Sequence, residues 1–383
     1  MVACAGPEAP EVPPERVLEL VPASFDQLGG WQQDDPVAAL DAFRRSCGAL
    51  GRRSYDEPLG RMEAAGSVGS WLAVCDAAER WPVTEAEQAR GFFEDWFQPY
   101  WVTDAGAADG LFTGYYEPLL FGSRDAGGRY TVPLYRAPAD LVRVDLGRFD
   151  PELSGYSISG RIEGNQFVPY YSRAEIEAGA LDGRGLELLW VDDAVDKFFL
   201  QIQGSGQVRL ADGSLTRVGY AGQNGHPYRA IGRDLIELGA LEREEVSLQS
   251  IRAWLEANPS SATTIMDRNR SYIFFEERGD LGPDDGPLGA QGVPLTAGRS
   301  LAVDLRHIPL GAPVWLETTV PWPEGPAPFR HLMIAQDTGG AIDGIVRGDV
   351  FFGAGARAEA AAGRMKSGGR YAILLPKSQV PTS

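Results

Sequence analysis

Residues 332–353 read L-M-I-A-Q-D-T-G-G-A-I-D-G-I-V-R-G-D-V-F-F-G, and this stretch decides the fold. An apolar run carries Asp337 into a glycine-rich turn. A second carboxylate, Asp349, heads another short apolar run. Short apolar runs punctuated by glycine read as strands joined by tight turns, which puts both aspartates at strand ends. Just upstream, A-V-D-L-R-H-I-P-L-G-A-P-V-W-L (residues 302–316) repeats the layout, with Asp304 ahead of a Pro-Leu-Gly turn. Three aspartates among glycine turns are too polar for a plain core segment and too ordered in context for a linker. Chemistry is expected here.

Outward from this region the pattern stays β-rich. Runs at 111–121, 130–135, 167–171, 186–191, 198–202 and 207–210 are strand candidates, and Ala211-Asp212-Gly213-Ser214 is a hairpin signal. Two blocks have helical period instead. In 24–99, Val37, Leu40, Phe43, Trp71 and Val74 recur at helical spacing, with a capping-box-like opening at Thr84; in 228–258, Ile231, Leu235, Ile251 and Leu255 do the same. A further helix is expected near 354–365, and 280–292 reads as a flexible acidic loop. The pattern divides the chain into a linker over 1–22, a helical part over 23–112, a β-rich part over 113–230, a helical connection over 231–258, and a second β-rich part over 259–383.

The chain has 383 residues, 44% hydrophobic and 23% charged, which is ordinary for a globular protein of roughly two domains. A formal charge of −18 with no basic patch argues against nucleic acid as a partner. No apolar run of about 18 residues is present to span a bilayer. Met1-Val2-Ala3-Cys4, followed by a Pro/Glu-rich stretch, has the look of a trimmed lipoprotein signal with a tether, so a lipid anchor at Cys4 and a chance cysteine are both open. Cys47 and Cys75 fit one disulfide or two buried thiols.

V-D-L-R-H-I-P-L-G at 303–311, Q-D-T-G-G-A-I-D-G at 336–344 and R-G-D-V-F-F-G at 347–353 resemble the 3D domain, a six-stranded double-psi β-barrel. Together with F-T-G-Y-Y-E-P at 112–118, F-L-Q-I-Q-G-S-G at 199–206 and Y-A-G-Q-N-G-H-P-Y at 220–228, the chain resembles the A-type membrane-bound lytic murein transglycosylases. The resemblance implies a mainly β protein in which the second β-rich part, 259–383, is the barrel, the helical N-terminal part over 23–112 packs on it, and 113–230 is an inserted β-domain with a cleft between it and the barrel. It implies cleavage of peptidoglycan glycan strands between N-acetylmuramic acid and N-acetylglucosamine, leaving 1,6-anhydro ends. No metal or cofactor takes part, and a monomer in the bacterial periplasm, anchored to the outer membrane if Cys4 is acylated, is expected. The chain departs from the family in a slightly longer Asp337–Asp349 interval and in Asp343, where a lysine is common.

By that resemblance Asp349 is the sole acid/base. One carboxyl suffices when the sugar's own C6 hydroxyl replaces water as the attacking group, because the group that gave a proton then takes one back. Such an acid must hold its proton near working pH, and Val350, Phe351 and Phe352 suggest an apolar surround. Asp337 is a supporting residue or a direct substrate contact, and Asp304 a turn-fixing acceptor. Exposed N–H groups at Gly339 and Gly340 are candidate substrate donors. Thr113, Tyr115, Tyr116, Gln203, Gly204, Tyr220 and Asn224, with Tyr228, lie in glycine-containing motifs that would line a glycan groove.

Rival readings are weaker. Asp337-Thr338-Gly339 matches an aspartic-protease motif, but that mechanism needs a second copy and the chain has none. His226, His307 and His331 have no metal-ligand spacing. A non-catalytic glycan-binding module on the same barrel is the remaining alternative.

Overall fold

The computed structural model describes residues 16–377, apart from 151, 152, 154, 155, 280, 283 and 284. Cys4 and most of the expected tether lie outside the described residues. The linker does not extend to residue 22. Strand β1 (Leu18–Pro22) pairs antiparallel with β2 (Phe97–Asp104), from Leu18↔Asp104 to Pro22↔Tyr100. The alternation of Leu18 and Leu20, which pack on the core, with Glu19, which faces Thr103, is a strand pattern that the Pro/Glu-rich residues before it obscured.

Between these strands lie helices α1 (Val37–Leu50), α2 (Val68–Arg80) and α3 (Ala86–Trp96). Leu40, Phe43, Cys47 and Leu50 form a buried stripe on α1, and Phe43 meets Phe92, Phe93 and Phe97 in an aromatic cluster. A disulfide joins Cys47 to Cys75 and so staples α1 to α2. The cap of α3 falls one residue after the expected Thr84: Glu85 is the N-cap, and Gln88 Oε1 accepts from the backbone N–H groups of Thr84 and Glu85.

Strand β3 (Gly110–Glu117) belongs to the barrel, and the chain then leaves for the insert. The insert contains β4 (Leu119–Ser123), β5 (Val132–Tyr135), β6 (Val142–Asp145), β7 (Ser157–Glu163), β8 (Gln166–Pro169), the single turn α4 (Arg173–Glu175), β9 (Glu187–Val191) and α5 (Ala194–Gln203). It continues through β10 (Gly206–Leu210), β11 (Leu215–Gln223), α6 (Gly232–Glu237), α7 (Leu248–Ala257), α8 (Pro259–Met266) and β12 (Ile273–Glu277). Its main sheet has the order β12-β11-β10-β4-β9-β5, and β6, β7 and β8 form a separate three-stranded sheet.

The run 198–202 is helical, not a strand. Asp193 caps α5 by accepting from the N–H groups of Val195 and Asp196, and Val195, Phe198 and Phe199 face a helical core with Leu235 and Leu255. A five-residue apolar run carries too little period to separate the two cases.

The chain returns to the barrel with β13 (Ser300–Val303), β14 (Pro313–Trp322), β15 (Gly325–Asp337) and β16 (Arg347–Ala354), then α9 (Ala356–Ala362) and β17 (Lys366–Pro376). The six strands run β17-β14-β15-β13-β16-β3, and β3 pairs back onto β17, which closes the barrel and leaves it no free edge. Pairs β13–β15 and β16–β3 are parallel, while the other barrel pairs are antiparallel. The protein is mainly β, as expected, but the boundaries move: the barrel takes β3 from before the insert, and α8 and β12 belong to the insert. Register and packing decide this, since β3 pairs with β16 and β12 with β11.

Candidate active site

Parallel pairing of β3 with β16 sets Thr113 opposite Asp349 and Tyr115 opposite Phe351. The period of two along each strand puts Thr113 and Tyr115 on the face that carries Arg347, Asp349 and Phe351. Gly114, between them, permits the close approach behind that face, since a Cβ there would stand 2.4 Å from the Phe352 ring. Asp349 Oδ1 accepts from the Thr113 hydroxyl and from the Arg347 guanidinium, and Arg347 Nη2 donates to Thr113 Oγ1 at 2.9 Å. The three side chains close a triangle. Arg347 is fixed by a further bond from Nη1 to the Gly348 carbonyl at 2.7 Å. Asp349 keeps 18% of its side chain exposed, so it is reachable from solvent.

The apolar surround expected for Asp349 is therefore only partly present. Val350 points to the opposite face and is buried in the barrel core, whereas Phe351 shares the face of Asp349 and packs its ring 5.2 Å from that of Tyr115. The immediate partners of the carboxylate are a hydroxyl and a cation. Nor does Asp349 cap α9, whose N-cap is Gly355.

Ala302 on β13 stands in register with both Asp337 and Asp349, one strand between the two carboxylates. Their backbones are thus about 10 Å apart by strand spacing. Asp337 Oδ2 accepts from the Tyr115 hydroxyl at 2.8 Å, and its Oδ1 from the Ala290 N–H at 2.8 Å. Burial pushes the Asp337 carboxyl up and the charge of Asp349 adds to this, against the Ala290 N–H and the Tyr115 hydroxyl, which pull it down. Burial, then the charge of Asp337, pushes the Tyr115 phenol well up.

The loop expected to be flexible thus supplies a donor. Residues 280, 283 and 284 lie outside the described residues, but the segment that follows packs tightly, and a Cβ on Gly289 would stand 2.5 Å from the Gln336 carbonyl. Beyond Asp337, Thr338 donates to the Val303 carbonyl at 2.7 Å, and Gly339 and Gly340 form an exposed turn. A Cβ on Gly340 would be 4.0 Å from that of Tyr228, so the insert reaches the barrel across this turn. Burial and the nearby Asp349 charge both push the Tyr228 phenol up.

Asp304 is a turn fastener. Its carboxylate accepts from Arg306 N at 3.0 Å and Nε at 2.9 Å, and from the Gly344 N–H at 2.9 Å. Burial pushes its carboxyl up, but these donors outweigh it and hold it below the usual range. Asp343 lies exposed between Arg306 and Arg16.

Several of the other candidates are placed elsewhere. Tyr116 points away from Asp349, with its hydroxyl on Glu359 at 3.1 Å, because odd and even residues of β3 face opposite ways. Asn224 is fully buried: it donates to the Tyr171 and Arg270 carbonyls and accepts from the N–H groups of His226 and Tyr272, which leaves nothing for a ligand. Gln203 Oε1 accepts from the Tyr116 N–H at 3.0 Å, and Gly204, at φ 82°, caps α5. Tyr220 is half exposed on β11 in the insert. Arg347 and Ala290 were not anticipated. Arg347 was legible from period alone, two residues before Asp349. Ala290 had no local signal. Among the described residues no group of three His, Cys, Asp or Glu side chains is placed to hold a metal ion.

A closed barrel interrupted by a large insert, with Asp337 ending β15 and Asp349 near the start of β16, defines the class. Residues 299–375 match the 3D domain, and residues 111–276 match the MltA specific insert domain. The chain is 33% identical over 276 residues to the membrane-bound lytic murein transglycosylase A of Vibrio cholerae, covering 70% of this chain and 72% of that protein. It superposes on a membrane-bound lytic murein transglycosylase from Agrobacterium tumefaciens with a TM-score of 0.82 and 36% identity, over 94% of this chain and 98% of the other. A structure of Escherichia coli MltA with bound chitohexaose superposes at a TM-score of 0.65 and 28% identity, over 94% of each chain. The chain belongs to the membrane-bound lytic murein transglycosylase A family.

Proposed function

We propose that the protein cleaves the glycan strands of peptidoglycan between N-acetylmuramic acid and N-acetylglucosamine, with Asp349 as the sole acid/base and a 1,6-anhydromuramic end as product. The observation that carries this reading is the Thr113–Asp349–Arg347 triangle on the barrel face that Tyr228 of the insert approaches. The Asp349 carboxyl gives its proton to the leaving glycosidic oxygen as the bond to C1 breaks. The resulting carboxylate then takes the proton of the muramic C6 hydroxyl as that oxygen closes on C1. One proton leaves the protein and one returns, and no water is consumed.

Arg347 and Thr113 hold Oδ1, so that the other oxygen is the one presented to the sugar, and the guanidinium stabilises the carboxylate that the first transfer leaves. Asp337 serves in this scheme as a support, its two oxygens holding the Tyr115 hydroxyl and the Ala290 N–H. Gly339 and Gly340 offer backbone donors beside it. Family membership and the chitohexaose held by the Escherichia coli relative support a glycan in the cleft.

No helix of the described residues is long and apolar enough to cross a membrane. On this reading the enzyme works in the bacterial cell envelope as a monomer, tethered there if Cys4 is acylated. Digestion of purified sacculi followed by mass spectrometry tests the reaction: products ending in 1,6-anhydromuramic acid, one water lighter than hydrolysis products, are expected, and reducing ends would overturn it.

A further inference from the structure

Where β3 leaves the barrel for the insert, a cavity of about 220 Å³ opens on the side away from Asp349. Pro118 and Leu119 supply its apolar wall, Tyr116 lies beside them, and three charged side chains converge from three helices: Asp196 of α5, Arg252 of α7 and Glu359 of α9. Arg252 pairs with Asp196 and has Glu256 at 3.8 Å, and its guanidinium lies 4.8 Å over the Phe199 ring. The Tyr116 hydroxyl donates to Glu359. The buried Arg252 Nε has no hydrogen-bond partner, an unmet donor within the pocket wall.

A lone anion would meet two carboxylates here, and a lone cation would meet the guanidinium. A group carrying both charges on one carbon satisfies all three. We propose that this cavity binds the zwitterionic end of an amino acid, its carboxylate on Arg252 and its ammonium between Asp196 and Glu359. Its volume suits one amino-acid end.

The position connects the pocket to the reaction. Tyr116 is three residues along β3 from Thr113, about 10 Å by strand rise, but on the opposite face. A peptide from the muramic residue therefore reaches the pocket by rounding the strand where it leaves the barrel at Pro118, which takes more than the three extended residues that span about 10 Å. Resting on the reading of the protein as a murein enzyme, the occupant is the free end of a diamino acid in the peptide attached to the muramic residue. The pocket would then select glycan that carries peptide.

Calorimetric titration of the whole chain with 2,6-diaminopimelic acid, cadaverine and pimelic acid separates the charges, because the three share a carbon spacing and differ in carrying both groups, only amines or only carboxylates. Diaminopimelic acid should bind with a Kd on the order of 1 mM or tighter, and the other two at least about tenfold more weakly. Arg252→Gln and, independently, Glu359→Gln on the partly exposed side of α9 should each weaken it about tenfold or more. The proposal is overturned by no heat from diaminopimelic acid at about 10 mM, by equal binding of either single-charge analogue, or by two folded variants that bind like the wild type. The measurement needs no turnover. A failure here leaves murein cleavage standing, and binding in a protein that does not cleave sacculi would reject the murein reading alone.

Discussion

Thr113 and Asp349, 236 residues apart in the chain, face each other across the parallel pair β3 and β16, and the hydroxyl of one donates to the carboxylate of the other. Neither residue is placed by its own sequence neighbourhood. The contact exists only because the barrel draws a strand from before the insert.

Replacing Asp349 by Asn should leave fold and sacculus binding intact and reduce turnover by about 10²–10⁴-fold, because an amide cannot give and recover the proton. Released soluble muropeptides measure it. Asp343→Asn, which breaks only exposed ion pairs with Arg306 and Arg16, should stay within about twofold of wild type.

Thr113→Val keeps the shape of the side chain and removes the hydroxyl that joins Asp349 to Arg347. We expect kcat to fall about 10–100-fold with KM little changed, since the lost contact holds the proposed acid and not the sugar. Thr113→Ser should recover most of the rate. An equal loss in both variants would show that the hydroxyl has no part in holding Asp349.

Asp34 predicts how the fold responds to acid. It is buried and accepts from Arg299 at 2.8 Å through both of its oxygens and from the Leu332 N–H at 2.9 Å, with His331 Nδ1 at 2.8 Å. Burial raises its carboxyl, but these partners outweigh it and bring it down to about 2 from 3.8. A depressed carboxyl stabilises the fold above its unfolded value, and that contribution is lost as pH falls from about 4 through 2. It amounts to about 2 kcal/mol. Asp34→Asn should flatten the stability profile in that window, read by chemical denaturation at pH 2 to 5, and should lower stability at pH 7.

Cys47 and Cys75 close a loop with a sequence separation of 28. On the chain-entropy model their bond contributes about 3–4 kcal/mol. The double change to Ala should lower the unfolding free energy by that amount without altering the product pattern, because Thr113 and Arg347, the side chains that hold Asp349, come from neither α1 nor α2. A change in products would contradict this separation of roles.

In water enriched in heavy oxygen, the new muramic ends should carry no label if the C6 hydroxyl closes the ring as proposed. Label at those ends would point to hydrolysis.

Much of the barrel was legible because glycine turns and short apolar runs punctuate residues 300–376. The placement of Asp349 followed from its motif. What was not legible depends on pairing over distance. β3 reads as the start of a domain by motif order, and only its register with β16 and β17 assigns it to the barrel. The environment of Asp349 was inferred from the residues after it, yet strand alternation sends Val350 inward and brings Arg347, two residues before it, onto the same face. Asn224 and Tyr116 sit in family motifs that fit a groove equally well, but one is consumed by four backbone partners and the other points through the wrong side of its strand. The Ala290 donor comes from a loop whose composition suggested only flexibility.

The barrel closes between a strand at 110–117 and one at 366–376, and this sets an order of events during biosynthesis. A chain emerging from its N-terminus must complete the whole insert and then β16 before Thr113 can meet Asp349, and β17 before β3 can pair with it. Contacts of such long span form late and slowly. Nascent chains that have not yet made β16 and β17 therefore lack the assembled site, so peptidoglycan cleavage begins only once the barrel has closed.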